Sequence, residues 1–178
     1  MTEIICEIGK NFIDHPEDDS QALFKAKLLV LNAKEVGADC VKFQCHVFED
    51  EQKKRSSVRY EWIKRNEKAT PIEFWKELKD FCDKNEIGFL VTPMSKMAAK
   101  KINPFVERFK IGSADLVDYE MLRYIANTKK PIILSSGMSD LPTIRKALDI
   151  LTSNGSKITV LHCVSIYPCP ESKLNLGT

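Results

Sequence analysis

The sequence predicts an α/β fold built from about six β-α units. Strand-like and helix-like segments alternate along the 178 residues. The strand-like segments are nearly continuous apolar runs, which is typical of parallel strands covered on both faces of a sheet. Each run leads into a short polar motif, and in parallel α/β folds such motifs collect at the carboxyl ends of the strands, where ligands bind.

The strands are predicted from apolar runs bounded by glycine, proline or short polar clusters. The first run ends at Gly9, and the third ends at the pair Thr92 and Pro93. In chain order, the six predicted strands cover residues 3–8, 39–43, 88–91, 108–111, 131–134 and 157–162.

The helices between these strands are predicted from apolar stripes at helical spacing and from capping residues. Gly37 ends the first helix. Thr70 and Glu73 predict a capping box around Pro71, which starts the helix that contains Phe74 and Phe81. Asp118 caps the helix through residue 126, and Ser139 or Asp140 starts the helix through residue 151. The first helix covers residues 20–36, and the other predicted helices cover residues 59–65 and 94–101.

Two architectures fit this alternation. A closed (β/α)₈ barrel needs eight strands and typically about 250 residues, so this chain corresponds to a truncated TIM barrel. A doubly wound open sheet of this size is the alternative. We favour the truncated barrel because of the polar motifs that follow the strands. Such a chain has two open sheet edges, and we therefore expect it to associate or to dissolve poorly when isolated.

Composition excludes several functions. The net charge is only +2, and no long basic run points to nucleic acid. No apolar stretch approaches the roughly 20 residues that span a membrane, and the first residues do not resemble a signal peptide. The six cysteines form neither a C-x-x-C pair nor a zinc-finger pattern. Reduced thiols and a cytoplasmic location are therefore expected.

Two lysines occupy equivalent places in different strands. Lys42 lies in the second strand and Lys110 lies in the fourth, directly after Phe109. Lysine is uncommon in an apolar strand unless it forms an ion pair or has a function in binding or catalysis. Two such lysines could hold a phosphate or a carboxylate by charge. The alternative is that each side chain extends to the surface along its apolar stem.

Small and hydroxyl residues follow the later strands. Ser113 comes after the fourth strand, and Ser135 leads into Ser136 and Gly137 after the fifth. Glycine lets a ligand approach the backbone, and hydroxyl and N–H groups bind anionic oxygens. Either motif alone is also an ordinary turn. Together with the lysines they indicate a site for an anionic, phosphorylated substrate.

Further polar residues lie at the same predicted ends of the strands: Glu7, Gln44, Asp115 and Tyr167. A carboxylate at Glu7 could move a proton or bind a sugar hydroxyl, but it could also be a paired structural group. Asp115 could instead cap the following helix. The histidines form no local metal motif, and His162 is expected to be a hydrogen-bonded core residue.

The motif series resembles the sialic acid synthases, also called N-acetylneuraminate synthases, which condense phosphoenolpyruvate with an N-acetylhexosamine. The resemblance runs from Ile4 to Leu176. Each motif is short, but their combined order and spacing is specific. The motifs are Glu7-Ile8-Gly9, Val41-Lys42-Phe43-Gln44, Thr92-Pro93, Lys110-Ile111-Gly112-Ser113, Ser135-Ser136-Gly137-Met138, and His162-Cys163 followed by Tyr167-Pro168 and Pro170.

The resemblance implies a fold, an assembly and a metal. The family's catalytic domain is a TIM barrel followed by a small antifreeze-like domain, so residues 1–178 would be a single N-terminal part of the barrel without its last strands or that second domain. The complete protein would be a homodimer. Its divalent metal, Mn²⁺ or Mg²⁺, is held by histidines on later strands, so no metal ligand can be assigned in this chain and the chain alone is expected to be inactive.

The resemblance also implies residue roles. Lys42, Lys110, Ser113 and Ser135 match positions that hold the phosphate and carboxylate of phosphoenolpyruvate, and Ser165 faces the same substrate. Positions that face the acceptor sugar are matched by Gln44, Asp115 and Tyr167. Glu7 matches the acidic residue that assists proton handling.

One position departs from the family pattern. Phe12 follows Asn11 where relatives have histidine, and phenylalanine cannot replace the histidine's hydrogen bond to the acceptor sugar or its loop. A related synthase that makes legionaminic or pseudaminic acid is therefore also compatible with the sequence. A different phosphoenolpyruvate-dependent synthase, a Schiff-base aldolase with the same barrel, and a non-catalytic truncated product are compatible with it as well.

Overall fold

A computed structural model describes residues 2–13, 21–51 and 60–177 of the chain. The chain divides into two compact units, Met1–Phe109 and Lys110–Thr178. Strands and helices alternate in both units, which confirms the predicted α/β class.

The first unit contains a three-stranded sheet in which β2 lies between β1 and β3. The strands are β1 (Ile5–Gly9), β2 (Cys40–Cys45) and β3 (Gly88–Pro93), and both pairings are parallel. All three lie where the apolar runs predict them. Within β2 the side chains alternate between the fully buried Val41, Phe43 and Cys45 and the less buried polar residues between them.

The described residues of the first unit also form five helices, of which the first, fourth and fifth contact the sheet. They are α1 (Ala22–Glu35), α2 (Phe48–Glu51), α3 (Tyr60–Ala69), α4 (Ile72–Lys84) and α5 (Lys96–Ile102). The short α2 was not predicted. The predicted starts of α1 at residue 20 and of α3 at residue 59 lie outside the described residues. Gly37 follows α1 with φ +87°, as its predicted role at the end of the helix requires.

The predicted capping box at the start of α4 is wrong. Pro71 is the N-cap, and no side chain caps the helix there. The Thr70 hydroxyl instead donates to the carbonyl oxygen of Asn66, 2.8 Å away. Thr70 therefore stabilises the end of α3, because its hydroxyl donates to one of the last carbonyl groups of that helix, which have no partner within the helix.

The residue that departs from the family pattern belongs to the core of the first unit. Phe12 is only 1% exposed. Its ring stacks on Phe74 at 5.2 Å and meets Phe43 edge-on at 5.9 Å. Aromatic pairs of this kind add about 0.5–1.5 kcal/mol each beyond the area they bury. Phe12 therefore contributes to packing and offers no hydrogen bond.

The second unit contains the strand order β4-β5-β6, with β4 (Phe109–Ile111), β5 (Ile132–Ser135) and β6 (Ile158–Leu161). The division between the units falls inside β4. β5 and β6 pair in parallel, in register from Ile132 with Ile158. Two helices, α6 (Tyr119–Asn127) and α7 (Leu141–Thr152), follow β4 and β5, and short 3₁₀ turns cover Ser113–Asp115 and Glu171–Lys173.

The predicted caps of these two helices are confirmed. The Asp118 carboxylate accepts from the N–H of Met121 at 3.2 Å, and the Asp140 carboxylate accepts from the N–H of Thr143 at 2.9 Å. Hydrogen bonds from Thr143 also lower the pKa of Asp140, because they favour the charged form. In both helices a carboxylate directly before the first turn is the local signal that predicts the cap.

Two further expectations concern the chain as a whole. All six cysteines are free thiols, and burial raises the pKa of Cys45 and of Cys82 to about 12. These two therefore behave as small apolar residues. Among the helices of the described residues, none combines the length and apolarity that crossing a bilayer requires.

We expect the isolated 178-residue chain to associate through β6. Val160 and Leu161 lie in this strand, at one end of the second sheet, with 44% and 36% of their surfaces exposed. An exposed apolar edge strand is a template for pairing between chains. Val160→Lys should therefore increase the monomer fraction measured by light scattering after gel filtration. Val36→Lys, at an exposed valine that follows α1, is the matched control. A monodisperse monomer of the parent chain would contradict this prediction.

Candidate functional site

In the first unit, three of the predicted site residues lie together. Glu7 of β1 and Lys42 of β2 are partners in the parallel register, so their side chains extend from the same face of the sheet and form an ion pair. Gln44, the next residue on that face of β2, places its Nε2 donor 3.4 Å from a Glu7 oxygen. The Glu7 side chain is 43% exposed and that of Lys42 is 17% exposed. A ligand can therefore reach the carboxylate.

Gly9 makes room for this group at the end of β1. Its φ of +60° is a conformation that other residues rarely adopt, and the strand register shifts between Glu7 and Gly9. A Cβ atom at this position would lie 3.0 Å from a Glu7 oxygen and 3.6 Å from the Gln44 amide nitrogen. The glycine is thus required both by the backbone and by the space that the Glu7 carboxylate occupies.

In the second unit, Lys110 is the central charge. It is only 7% exposed, between the fully buried Phe109 and Ile111. Its ammonium donates to the Ser135 hydroxyl at 2.6 Å and to the Ile111 carbonyl oxygen at 2.8 Å. Burial lowers the pKa of Lys110, while the nearby Cys163 and Asp115 oppose this shift. The alternative that Lys110 extends to the surface is therefore excluded.

The serines of the second unit lie around the turn that follows β5. Ser113 and Ser165 both direct their hydroxyls at Gly137, two residues after Ser135. Lysine and hydroxyl donors around a glycine turn form a set that can bind an anionic oxygen group. The structure therefore brings Lys110 to Ser135, and it brings Ser113 and Ser165 to Gly137 in the same turn.

The sequence left two roles open for Asp115, a residue of the site or the cap of the following helix. Asp115 is buried in the 3₁₀ turn Ser113–Asp115 and contributes to the electrostatic environment of Lys110. The cap of α6 is Asp118 instead. The alternative in which Asp115 caps this helix is therefore wrong, and its position near Lys110 keeps it in the candidate site.

Two residues after β6 are not packed as expected. His162 was predicted to be a core residue, but it is exposed, and its Nε2 lies 2.7 Å from the Leu174 carbonyl oxygen. The predicted hydrogen bond of His162 is therefore confirmed, and its predicted burial in the core is wrong. Tyr167 is 95% exposed, so the structure does not bring its ring against the other site residues.

The sequence pattern did not predict a buried histidine–carboxylate pair in the first unit. His46 is 3% exposed and Glu51 is fully buried, and Nδ1 of the imidazole lies 3.0 Å from both carboxylate oxygens. Glu51 also accepts from the Val47 N–H at 3.1 Å. The Trp62 ring meets the imidazole edge-on at 5.3 Å. This pair anchors the chain directly after β2. The sequence signal was that His46 continues the alternation of Lys42 and Gln44.

A separate pocket of about 190 Å³ lies near the amino ends of β1 and β3. Arg108 makes two hydrogen bonds to the Glu3 carboxylate beside it, and Lys79 donates to Asp83 at 2.6 Å. Four of the five charged side chains that line the pocket are thus paired with one another, and the fifth is Glu107. In folds of this class the amino ends of the strands contribute to stability and the carboxyl ends carry the chemistry. We therefore assign this pocket no catalytic role.

The pKa of Lys110 leads to a stability prediction. A lysine whose folded-state pKa is lowered binds fewer protons in the folded state, so its contribution to stability becomes more favourable as pH rises toward the ordinary value of 10.5. We expect the parent to gain stability relative to Lys110→Met between pH 7 and pH 10, measured by urea unfolding. A difference that stays constant over this range would contradict the lowered pKa.

The described side chains offer no ligand set for the metal that the resemblance implies. Within residues 2–13, 21–51 and 60–177, no three His, Cys, Asp or Glu residues come together as a possible metal site. We therefore derive no chemical step through a metal.

Comparison with known proteins identifies the family. The chain belongs to the NeuB family, whose model matches residues 29–178. An uncharacterized protein of Methanocaldococcus jannaschii is 43% identical over 153 residues, which cover 85% of this chain and 44% of that protein. The N,N'-diacetyllegionaminic acid synthase of Campylobacter jejuni is 34% identical over 190 residues, which cover 98% of this chain and 55% of the synthase.

A solved structure is similar along almost the whole chain. The N-acetylneuraminic acid synthetase of Leptospira borgpetersenii, crystallised in complex with citrate, superposes with a TM-score of 0.83 at 27% identity. The similarity covers 97% of this chain and 57% of the synthetase. This chain spans about half the length of the curated relatives it matches.

Proposed function

We propose that the protein containing this chain condenses phosphoenolpyruvate with an N-acetylated hexosamine, N-acetylmannosamine or a related sugar, to form a sialic acid-type nonulosonic acid and phosphate. The observation that carries the proposal is the buried Lys110 ammonium held against the Ser135 hydroxyl. Membership of the NeuB family and the similarity to sialic and legionaminic acid synthases support it.

The proposal includes the architecture of the complete protein. The β-α order of both units fits a TIM barrel truncated to about six β-α units. The similarity to 57% of the Leptospira synthetase supports this interpretation. The proposal also includes a homodimer and a divalent metal, Mn²⁺ or Mg²⁺, whose ligands are not among the described residues.

The residue types suit the proposed chemistry. Carbon 3 of phosphoenolpyruvate forms a bond to the aldehyde carbon of the open-chain sugar, whose oxygen becomes a hydroxyl by taking a proton. Water adds at carbon 2, where positive charge develops, and loses a proton. The bond from carbon 2 to the phosphate oxygen then breaks while the new hydroxyl at carbon 2 gives up its proton, which leaves a carbonyl and releases phosphate that takes up that proton. Fixed cations and hydroxyls that bind the anionic groups of the substrate lower the barrier by orientation and charge.

Each side chain has a proposed role in these steps. In the second unit, Lys110, Ser113, Ser135 and Ser165 bind the anionic groups of phosphoenolpyruvate. In the first unit, Lys42 has the same task and Glu7 moves the proton, since its carboxylate is accessible and already oriented by two neighbours. We assign contacts to the acceptor sugar to Gln44, Asp115 and Tyr167.

The test is a phosphate-release assay on the protein expressed from its complete gene. Phosphoenolpyruvate, Mn²⁺ and a panel of N-acetylated hexosamines are supplied, and phosphate is measured. Release that depends on one sugar would support the synthase and identify its acceptor. A folded protein that releases no phosphate with any sugar would overturn the proposal.

A second candidate function is a Schiff-base aldolase. The observation that favours it is the buried Lys110, because burial lowers its pKa and lysines with lowered pKa values serve as amine nucleophiles. Borohydride reduction in the presence of a carbonyl substrate distinguishes the two functions. An aldolase would be trapped as a covalent adduct at Lys110, whereas the synthase would form none.

A further inference from the structure

Gly137 occupies a position where the backbone does not require glycine. Its φ lies outside the left-handed region, and the following residue, Met138, takes that conformation with φ +62°. The two residues that precede Gly137 in the turn are both held in place by hydrogen bonds. The Ser136 hydroxyl and N–H both donate to the Leu161 carbonyl oxygen, at 2.8 and 3.2 Å, and Ser135 is bound by Lys110. The backbone conformation thus leaves the choice of glycine unexplained.

The lack of space for a side chain explains why residue 137 is glycine. A Cβ atom on residue 137 would lie 2.5 Å from the Ser165 hydroxyl oxygen, 3.0 Å from the Ser113 hydroxyl oxygen and 3.1 Å from the Cys163 Cβ. Carbon–oxygen contacts of 2.5 Å do not occur, so at least one hydroxyl would have to move. The hydroxyls come from two segments far apart in sequence, the turn after β4 and the loop after β6. The two hydroxyls meet at Gly137, where there is no side chain to separate them.

We propose that Gly137 is a positioning residue that allows the hydroxyls of Ser113 and Ser165 to serve one anionic group together with Lys110 and Ser135. This inference rests on the proposed function, in which that group belongs to phosphoenolpyruvate. Gly137 itself contributes no side chain to the ligand. Its role is to let two donors from different segments point at the same place, which is the preorganisation that binding an oxyanion requires.

The type of contact predicts which property a substitution will change. The two nearest atoms to a new Cβ are the ends of serine side chains, which can rotate away, and the third, the Cβ of Cys163, would have to shift by only a few tenths of an ångström. Gly137→Ala should therefore fold normally and lose the arrangement of its hydroxyls. A glycine needed for the backbone conformation would show the opposite result, because a strained φ destabilises the fold directly.

The experiment compares ligand affinity with thermal stability in the complete protein. Gly137→Ala should weaken phosphoenolpyruvate binding by about 10- to 100-fold in calorimetric titration, as expected for losing hydrogen bonds to a charged group. Its melting temperature should stay within about 4 °C of the parent. Gly177→Ala is the matched control, because a Cβ there would meet no atom within 4 Å, and it should bind as the parent does.

A second variant tests the steric cause. Ser165→Ala removes the atom that a new Cβ would strike, so the double variant Gly137→Ala with Ser165→Ala should bind phosphoenolpyruvate more tightly than Gly137→Ala alone. Gly137→Ala with parental affinity would overturn the inference. So would a double variant in which the two losses simply multiply.

Inorganic phosphate as a second probe separates this inference from the proposed function. A parent that binds inorganic phosphate but not phosphoenolpyruvate, with phosphate binding lost in Gly137→Ala, would support the role of Gly137 and contradict the proposed substrate. A parent that binds both, with Gly137→Ala unaffected, would contradict only the role of Gly137. A parent that binds neither anion would contradict both.

Discussion

Lys110→Met in the complete protein is expected to reduce phosphate release by about 10²- to 10³-fold, the loss that removing one fixed donor to a developing charge produces in enzymes. The Lys110 ammonium is held by the Ser135 hydroxyl and the Ile111 carbonyl oxygen in a buried position. Water cannot easily replace it there. Steady-state assays at saturating Mn²⁺ and sugar would measure the change.

The same substitution should leave the fold intact. Methionine is similar in length to lysine and apolar, and burial already disfavours the charged form of Lys110. At neutral pH the melting temperature of Lys110→Met should equal or exceed that of the parent. Lys157→Ala, at an exposed lysine of the same unit directly before β6, is the control and should retain activity. Unchanged turnover in Lys110→Met would overturn the assigned role.

Glu7→Gln is expected to lower kcat by about 10²- to 10⁴-fold, the usual contribution of a positioned acid–base group. The amide keeps the shape of the carboxylate and can still accept a hydrogen bond from Lys42, so substrate binding should change less than turnover. The partly exposed ion pair contributes little to stability, so unfolding should change little as well. The kcat and KM values, measured separately over a range of pH, test this split.

Glu3→Gln provides a matched control for Glu7→Gln. Glu3 precedes the same strand and also pairs with a cation, Arg108, but it lies at the opposite end of β1. Arg108 lowers the pKa of Glu3, so this carboxylate stays charged near neutral pH. Its loss should leave kcat unchanged. Equal activity in Glu7→Gln and the parent would show instead that Glu7 is only the structural partner of Lys42.

Features set by neighbouring residues were predicted well from the sequence. The strands follow from apolar runs, and the caps Asp118 and Asp140 follow from a carboxylate placed before an apolar stripe. The capping box at Thr70 failed for a reason that local patterns do not contain. The same hydroxyl can cap the helix that follows or satisfy a carbonyl of the helix that precedes, and in this structure it bonds to the Asn66 carbonyl oxygen of α3.

The candidate site also has features that the sequence determines and features that only the tertiary structure determines. The sequence alone determined the residue types at the ends of the strands and their order, because alternation along a strand decides which side chains share a face. Only the tertiary structure decided which of them meet. Lys110 reaches Ser135 across 25 residues, and Ser113 and Ser165 meet at Gly137.

The tertiary structure also decided that His162 is exposed, that His46 is buried against Glu51, and that Phe12 belongs to an aromatic core. Contacts between distant segments depend on how whole elements pack, and a one-dimensional pattern carries no information on that packing.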